Sequence, residues 1–277
     1  AMIYLSQGQQ TKVAEICEQA LSSAKQLAPY ADAVASTDQH PSATIARTYN
    51  LLGHVDLALG KPNSAVQHFQ HSLHLYQSIS HLSGQALALN QLARAYIALG
   101  QLEASIAPAQ QARALFVQLG DDYHGALVDN NLGEVARTLN RPDEAIEAYK
   151  KALRTMQQIG ASQWVVGALH NNIGAALIQK REITLARNHL NTAQGIFAEA
   201  NLRDFMPELW RLFADASLTA GEWQRAIGEA AQGLTHARDL QQRAEEAHIL
   251  RILGEAWLKL GDVAQAKNLL GLSHAAH

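Results

Sequence analysis

The fold predicted for this chain is all-α, a solenoid of helical hairpins, and three observations predict it. First, a small residue returns six times, at Gly53, Ala93, Gly133, Gly174, Ala214 and Gly254, in steps of 40, 40, 41, 40 and 40 residues. Second, apolar residues within each period recur at helical intervals in two blocks, as in Leu89, Leu92 and Tyr96, then Ile106, Ala109 and Ala112. Third, a residue suited to ending a helix separates the blocks: Gly60, Gly100, Gly221 and Gly261, with Asn140 and Arg181 in the other two copies. A period of this length stacks repeated units side by side rather than wrapping one core.

Taken in order, residues 1–27 read as a partial repeat: a helix stub ending near Gly8, then a helix with Val13, Ile16, Cys17, Ala20, Leu21 and Leu27 on its apolar face. This half-repeat is expected to cap the edge of the array. Cys17 is the single cysteine, which excludes an intrachain disulfide, and it occupies the position equivalent to Tyr149, where burial is expected. Residues 28–42, with Pro29, Asp38 and Pro41, read as a connector loop. Residues 43–277 then form six hairpins in one continuous domain. The first spans 43–60 and 63–79, with Ser42 the expected N-cap; the second spans 84–100 and 102–119. The third covers 122–140 and 142–159, the fourth 163–180 and 183–200. The fifth covers 205–220 and 223–240, the sixth 243–260 and 263–273. Pro62 and Pro142 fall in the first turn of their helices, where a missing N–H costs nothing. The last helix is short and apolar, with Leu269, Leu270 and Leu272; a further helix, a partner or a second copy of the chain is expected to cover it.

Twelve residues beyond the first small series comes a second, Ala65, Ser105, Ala145, Ala186, Ala226 and Ala266. Four later stand Phe69, Ala109, Tyr149, Leu190, Ala230 and Leu270, and three beyond them Ser72, Ala112, Ala152, Ala193, Gly233 and Ser273. Small residues where two helices cross let the axes approach to the near end of the usual ~8–10 Å range. This order resembles the tetratricopeptide repeat, with Leu132 and Gly133 matching its first helix and Ala145, Tyr149 and Ala152 its second. The repeat is longer than the usual ~34 residues, and the family's helix-ending proline is absent. In its length it is similar to the repeats of kinesin light chains and of the helical sensor regions of large bacterial signalling regulators. The resemblance implies a right-handed superhelix with a concave groove.

Composition narrows the function classes. Of 277 residues 48% are hydrophobic and 17% charged, enough apolar material for a folded array. Lys and Arg number 22 against 25 Asp and Glu, a net charge of -3, so neither nucleic acid nor a membrane surface is an expected partner. No apolar run reaches the ~18 residues of a membrane span, and residues 1–10 lack the build of a signal peptide, so a cytoplasmic location is expected.

A second series carries the functional expectation. Three residues before each small Gly or Ala stand Asn50, Asn90, Asn130, Asn171, Arg211 and Arg251. Asn is a poor interior helix residue, so something other than helix propensity holds it there. By the resemblance these positions face the concave groove, and such a ladder would clamp an extended peptide or a partner's helix, each Asn offering both a donor and an acceptor. The alternative is that the Asn side chains bond along the stack and stabilise it. Neighbouring groove positions, by the same resemblance, include Arg47, His54, Arg94, Glu134 and Arg137, followed by Gln179, Glu208, Asp215, Glu255 and Lys259. The basic bias of the early repeats suits a ligand with an acidic segment. No catalytic constellation is found: there is no phosphate loop, nucleophile elbow or cysteine pair, and no cofactor is expected. His68, His71 and His74 follow at i, i+3 and i+6 with His81 beyond, but no carboxylate or Cys completes a metal set. The reading is a non-enzymatic interaction scaffold. Its alternatives are a sensor region of a larger bacterial signalling or transcription regulator, and an oligomerisation module that dimerises through the last helix.

Overall fold

The computed structural model describes residues 40–276 together with Lys12, Glu15, Gln19 and Ser22, which are helical and exposed. The expected N-terminal half-repeat, the packing position of Cys17 and the connector as far as residue 39 otherwise lie outside the described residues. The chain divides into two compact units, residues 1–135 and 136–277. The described residues form twelve α-helices.

In the first unit α1 (Pro41–Ala58) pairs with α2 (Pro62–Ser78) and α3 (Leu82–Ala98) with α4 (Leu102–Gln118); α5 (Asp122–Thr138) runs across the division. Helix α1 begins at Pro41, and its cap is His40, whose Nδ1 accepts from the Ser42 N–H at 3.1 Å. The cap therefore lies two residues before the expected Ser42, because an imidazole nitrogen serves as acceptor where a hydroxyl was sought. The first core layer joins Ala43, Ala46, Tyr76 and Ala88, the next Ala65, Phe69, Leu92 and Ala95. Beyond them Ala86, Leu89, Ala93, Ala109, Ala112, Phe116 and Val128 form a third. Pro108 lies inside α4 without ending it.

The second unit holds α6 (Pro142–Gln158), α7 (Gln163–Gln179), α8 (Ile183–Glu199), α9 (Met206–Ala220), α10 (Trp223–Asp239), α11 (Arg243–Lys259) and α12 (Val263–Ala276). Each packs on the next, and the first helices α7, α9 and α11 also touch in succession. A three-residue 3₁₀ turn, Arg203–Phe205, leads into α9 and sets the Phe205 ring between Phe197, at 4.9 Å, and Trp164, at 6.3 Å. Arg187 of α8, 14% exposed, meets Glu229 of α10, 12% exposed, in a two-pronged pair at 3.0 and 3.3 Å. The Ser217 hydroxyl of α9 donates to the same carboxylate at 2.6 Å, and Phe213 lies 5.7 Å from the guanidinium. Both charges are thus compensated where water is scarce.

Every break between described helices contains one residue with left-handed backbone. In order these are Gly60, Ser80, Gly100, Gly120, Asn140, Gly160, Arg181, Asn201, Gly221, Gln241 and Gly261. They are 20 residues apart except for the 21 between Gly160 and Arg181, so the one longer period arises at the entry to α7. At each break two backbone N–H groups turn back onto the finished helix, as Gly100 does to Ile97 and Gln101 to Tyr96, both at 2.9 Å.

The crossing within each hairpin pairs two of the sequence series. A Cβ on Gly53 would lie 2.5 Å from the Phe69 ring, and on Gly174 or Gly254 2.7 Å from Leu190 or Leu270. Where the small residue is Ala, at Ala93 and Ala214, its counterpart is Ala109 or Ala230. Glycine therefore stands against a large side chain and alanine against alanine, so a large residue is admitted only where its counterpart has no side chain.

Candidate functional site

The ladder residues sit on successive first helices, one turn before the crossing. In the first unit they are Asn50 on α1, Asn90 on α3 and Asn130 on α5; in the second Asn171 on α7, Arg211 on α9 and Arg251 on α11. Asn50 and Asn130 are half-buried, whereas Asn90 is 8% and Asn171 1% exposed. Oδ1 of Asn50, Oδ1 of Asn90 and both polar atoms of Asn171 are buried with no hydrogen-bond partner among the described residues. A buried amide left in this state costs about 1–3 kcal/mol. The two arginines are paired with carboxylates. Arg211 reaches Glu245 at 2.8 Å and Glu208 at 3.6 Å, and Arg251 meets Glu255 one turn along its own helix. Asp215, between them, has its carboxyl raised above the usual range by burial, against the pull of Arg211 and Arg251.

Of the neighbouring positions, Arg47 and Arg94 are exposed, and Arg94 donates to Gln91 Oε1 at 3.0 Å. His54 is half-buried edge-on to Phe69 at 5.6 Å, and burial, with the Arg94 charge beside it, lowers its pKa. Glu134 and Arg137 are half-buried. Gln179 is turned to the preceding hairpin: its Nε2 donates to the Arg137 carbonyl at 3.2 Å and to Asn140 Oδ1 at 2.8 Å. The sequence signal for the ladder was its period; the burial of Asn90 and Asn171 and the unpartnered atoms of Asn50, Asn90 and Asn171 left no sequence signal.

The histidines of the first hairpin act separately. His68 bonds Asp56 at 2.7 Å, His71 stacks on Tyr49 at 5.3 Å, and His81 lies past α2 and caps α3 by accepting from Gly84 N–H at 2.9 Å. Among the described residues no three His, Cys, Asp or Glu side chains are placed to hold a metal. Sequence reading missed a different pair. His170 of α7 and His189 of α8 face each other with Nδ1 atoms 3.0 Å apart. Burial, then the neighbouring His189, lowers the His170 pKa to about 4; burial, then Lys150 of α6, lowers that of His189.

Paired helices joined by left-handed turns, crossing at small residues and repeating along the chain, define a tetratricopeptide-type scaffold. The tetratricopeptide repeat family model matches residues 44–116 and 84–158, so tetratricopeptide repeats are found over residues 44–158. No curated protein sequence matches it. Among solved structures it is similar to the apo form of RapI, with a TM-score of 0.71 and 11% identity over 99% of this chain and 96% of that one. A Rap protein complexed with competence and sporulation factor gives 0.66 at 17% identity, covering 85% of this chain and 65% of that one. A STAND protein with a tetratricopeptide repeat sensor from Pyrococcus horikoshii gives 0.72 at 14% identity, over 99% of this chain. This chain spans 40% of the length of the STAND protein. At such identities the likeness is one of fold. No described helix is long and apolar enough to cross a membrane.

Proposed function

We propose that the chain is a non-enzymatic interaction scaffold whose first-helix face in the first unit takes an extended peptide through the Asn ladder. The observation that carries this is the state of the amides. Asn50, Asn90 and, in the second unit, Asn171 hold buried polar atoms that no group among the described residues engages. Were the ladder a stacking device, these atoms would bond to the adjacent helix. A peptide backbone supplies a donor and an acceptor in sequence, matching what an Asn side chain offers. Asn50 and Asn130 present part of their surface; Asn90 would reach the ligand after a change of side-chain rotamer. Arg47 and Arg94, exposed on the same helices, favour an acidic residue in the peptide.

The test compares wild type with Asn90→Ala/Asn130→Ala by isothermal titration against extended acidic peptides. Binding is expected to fall at least tenfold while the melting temperature holds. A variant that melts several degrees lower, or binds as before, would sink the reading. The Rap protein solved with a bound factor and the STAND sensor support a regulatory setting, in which such a scaffold reports ligand binding to other domains. A self-association reading is favoured by α12, where Val263 and Leu272 are about half exposed. Light scattering that finds a dimer, lost on Leu272→Glu, would bear this second reading out.

A further inference from the structure

In the second unit a cavity of about 500 Å³ opens beside the turns that end α7, α9 and α11, lined by Arg181, Leu218, Thr219, Trp223, Glu255, Leu258 and Lys259. The geometry points to this cavity as a second, separate binding site, for a carboxylate that carries an apolar or aromatic body, such as the C-terminal residue of a peptide. Its volume falls within the range of small-ligand sites, roughly 300–1,000 Å³. Three features of the lining select the ligand.

The first is charge. Arg181 and Lys259 are exposed cations whose side chains have no hydrogen-bond or ion-pair partner among the described residues, whereas Glu255, the acid in the wall, is already engaged by Arg251. Two uncommitted cations therefore face a cavity whose one carboxylate is neutralised, and an anion is the complement. The second is the apolar wall: Trp223, Leu218 and Leu258, the last half exposed, offer a surface for a hydrophobic body but not for a bare inorganic anion. The third is the backbone of Arg181. In the other hairpins the position that ends the first helix is Gly or Asn; here an arginine holds a φ of 63°. A long side chain is strained in this conformation, as at Gln241 with a φ of 56°, so what sets this position apart is the guanidinium it brings to the rim. Gly would fold more easily there but would bring no guanidinium to the rim.

The test uses N-acetyl-Leu-Phe as probe, with its C-terminal amide and N-acetyl-Phe for comparison, by isothermal titration and Trp fluorescence. The acid is expected to bind and the amide at least tenfold more weakly. Arg181→Gly and Lys259→Gln should each weaken the acid at least fivefold, and Trp223→Phe should remove the fluorescence change. Arg181→Gly installs the residue the equivalent turns already use, so its melting temperature should not fall, and lost binding cannot be laid to misfolding. Asn90→Ala/Asn130→Ala should leave this binding intact, which separates the cavity from the ladder. If N-acetyl-Phe binds as tightly as the dipeptide, the site serves a free small carboxylate; if only the dipeptide binds, it serves a peptide end. Equal binding of acid and amide, or unchanged binding in Arg181→Gly, overturns the assignment.

Discussion

At 3.0 Å between Nδ1 atoms, His170 and His189 can share one hydrogen bond only while at least one ring is neutral. Folding holds the His170 pKa near 4, below the 6.5 of a free histidine, so the unfolded chain binds more protons between those values. Stability is therefore full above about pH 6.5 and declines as pH falls towards 4, by on the order of 1 kcal/mol once solvent screening of half-buried rings is allowed for. Urea titrations at pH 7 and pH 5 should show this loss, and His170→Gln should flatten it. The ladder makes the opposite kind of prediction. Asn171→Ala removes two unpartnered buried atoms and adds helix propensity, so it should leave stability unchanged or raise it by about 1 kcal/mol. A clear loss in chemical denaturation would mean that the amide bonds within the stack. Sequence reading found the Asn series from its spacing. It missed the histidine pair, because two imidazoles on different helices have no period to betray them.

Between helices, the crossing sets what can be exchanged. Gly53→Ala pushes a methyl into the Phe69 ring, an overpacking of about 1–3 kcal/mol that the gain in helix propensity only partly offsets. Phe69→Ala alone leaves a cavity costing about 3–5 kcal/mol. The double variant recreates the Ala93 and Ala109 arrangement of the next hairpin and should be more stable than the two losses combined, with a coupling of about 1–2 kcal/mol in a double-mutant cycle. Most helix limits were legible to within two residues, because Gly, Asn and Pro mark them. The turns between hairpins at Ser80, Asn201 and Gln241 were not, since none is glycine and each adopts the left-handed backbone under the demand of its neighbours. Arg181 was legible as an oddity, an arginine where glycine was due, but not as the rim of a cavity.

Across the whole molecule, helices touch mainly their sequence neighbours, so a local injury should stay local. Arg187→Ala takes one of its two guanidinium partners from Glu229, which keeps Arg225 at 3.0 Å and Ser217 at 2.6 Å, a loss of about 1.5–3 kcal/mol. Hydrogen exchange should then quicken in α8, α9 and α10 while α1 to α4 keep their protection; a uniform loss would show that the array opens as one. The repeating plan was plain in the sequence because it is written six times. The division into two compact units, by contrast, has no mark at Val135 or Ala136. A chain with near-identical joints every 20 residues risks docking a helix one hairpin out of place. Where neighbouring crossings differ, the pairing guards against this: Phe69 swung onto Ala93 meets a methyl, and Ala109 swung onto Gly53 leaves a hole. The contact that fills such a crossing thus also serves as an address, telling otherwise interchangeable helices which neighbour is their own.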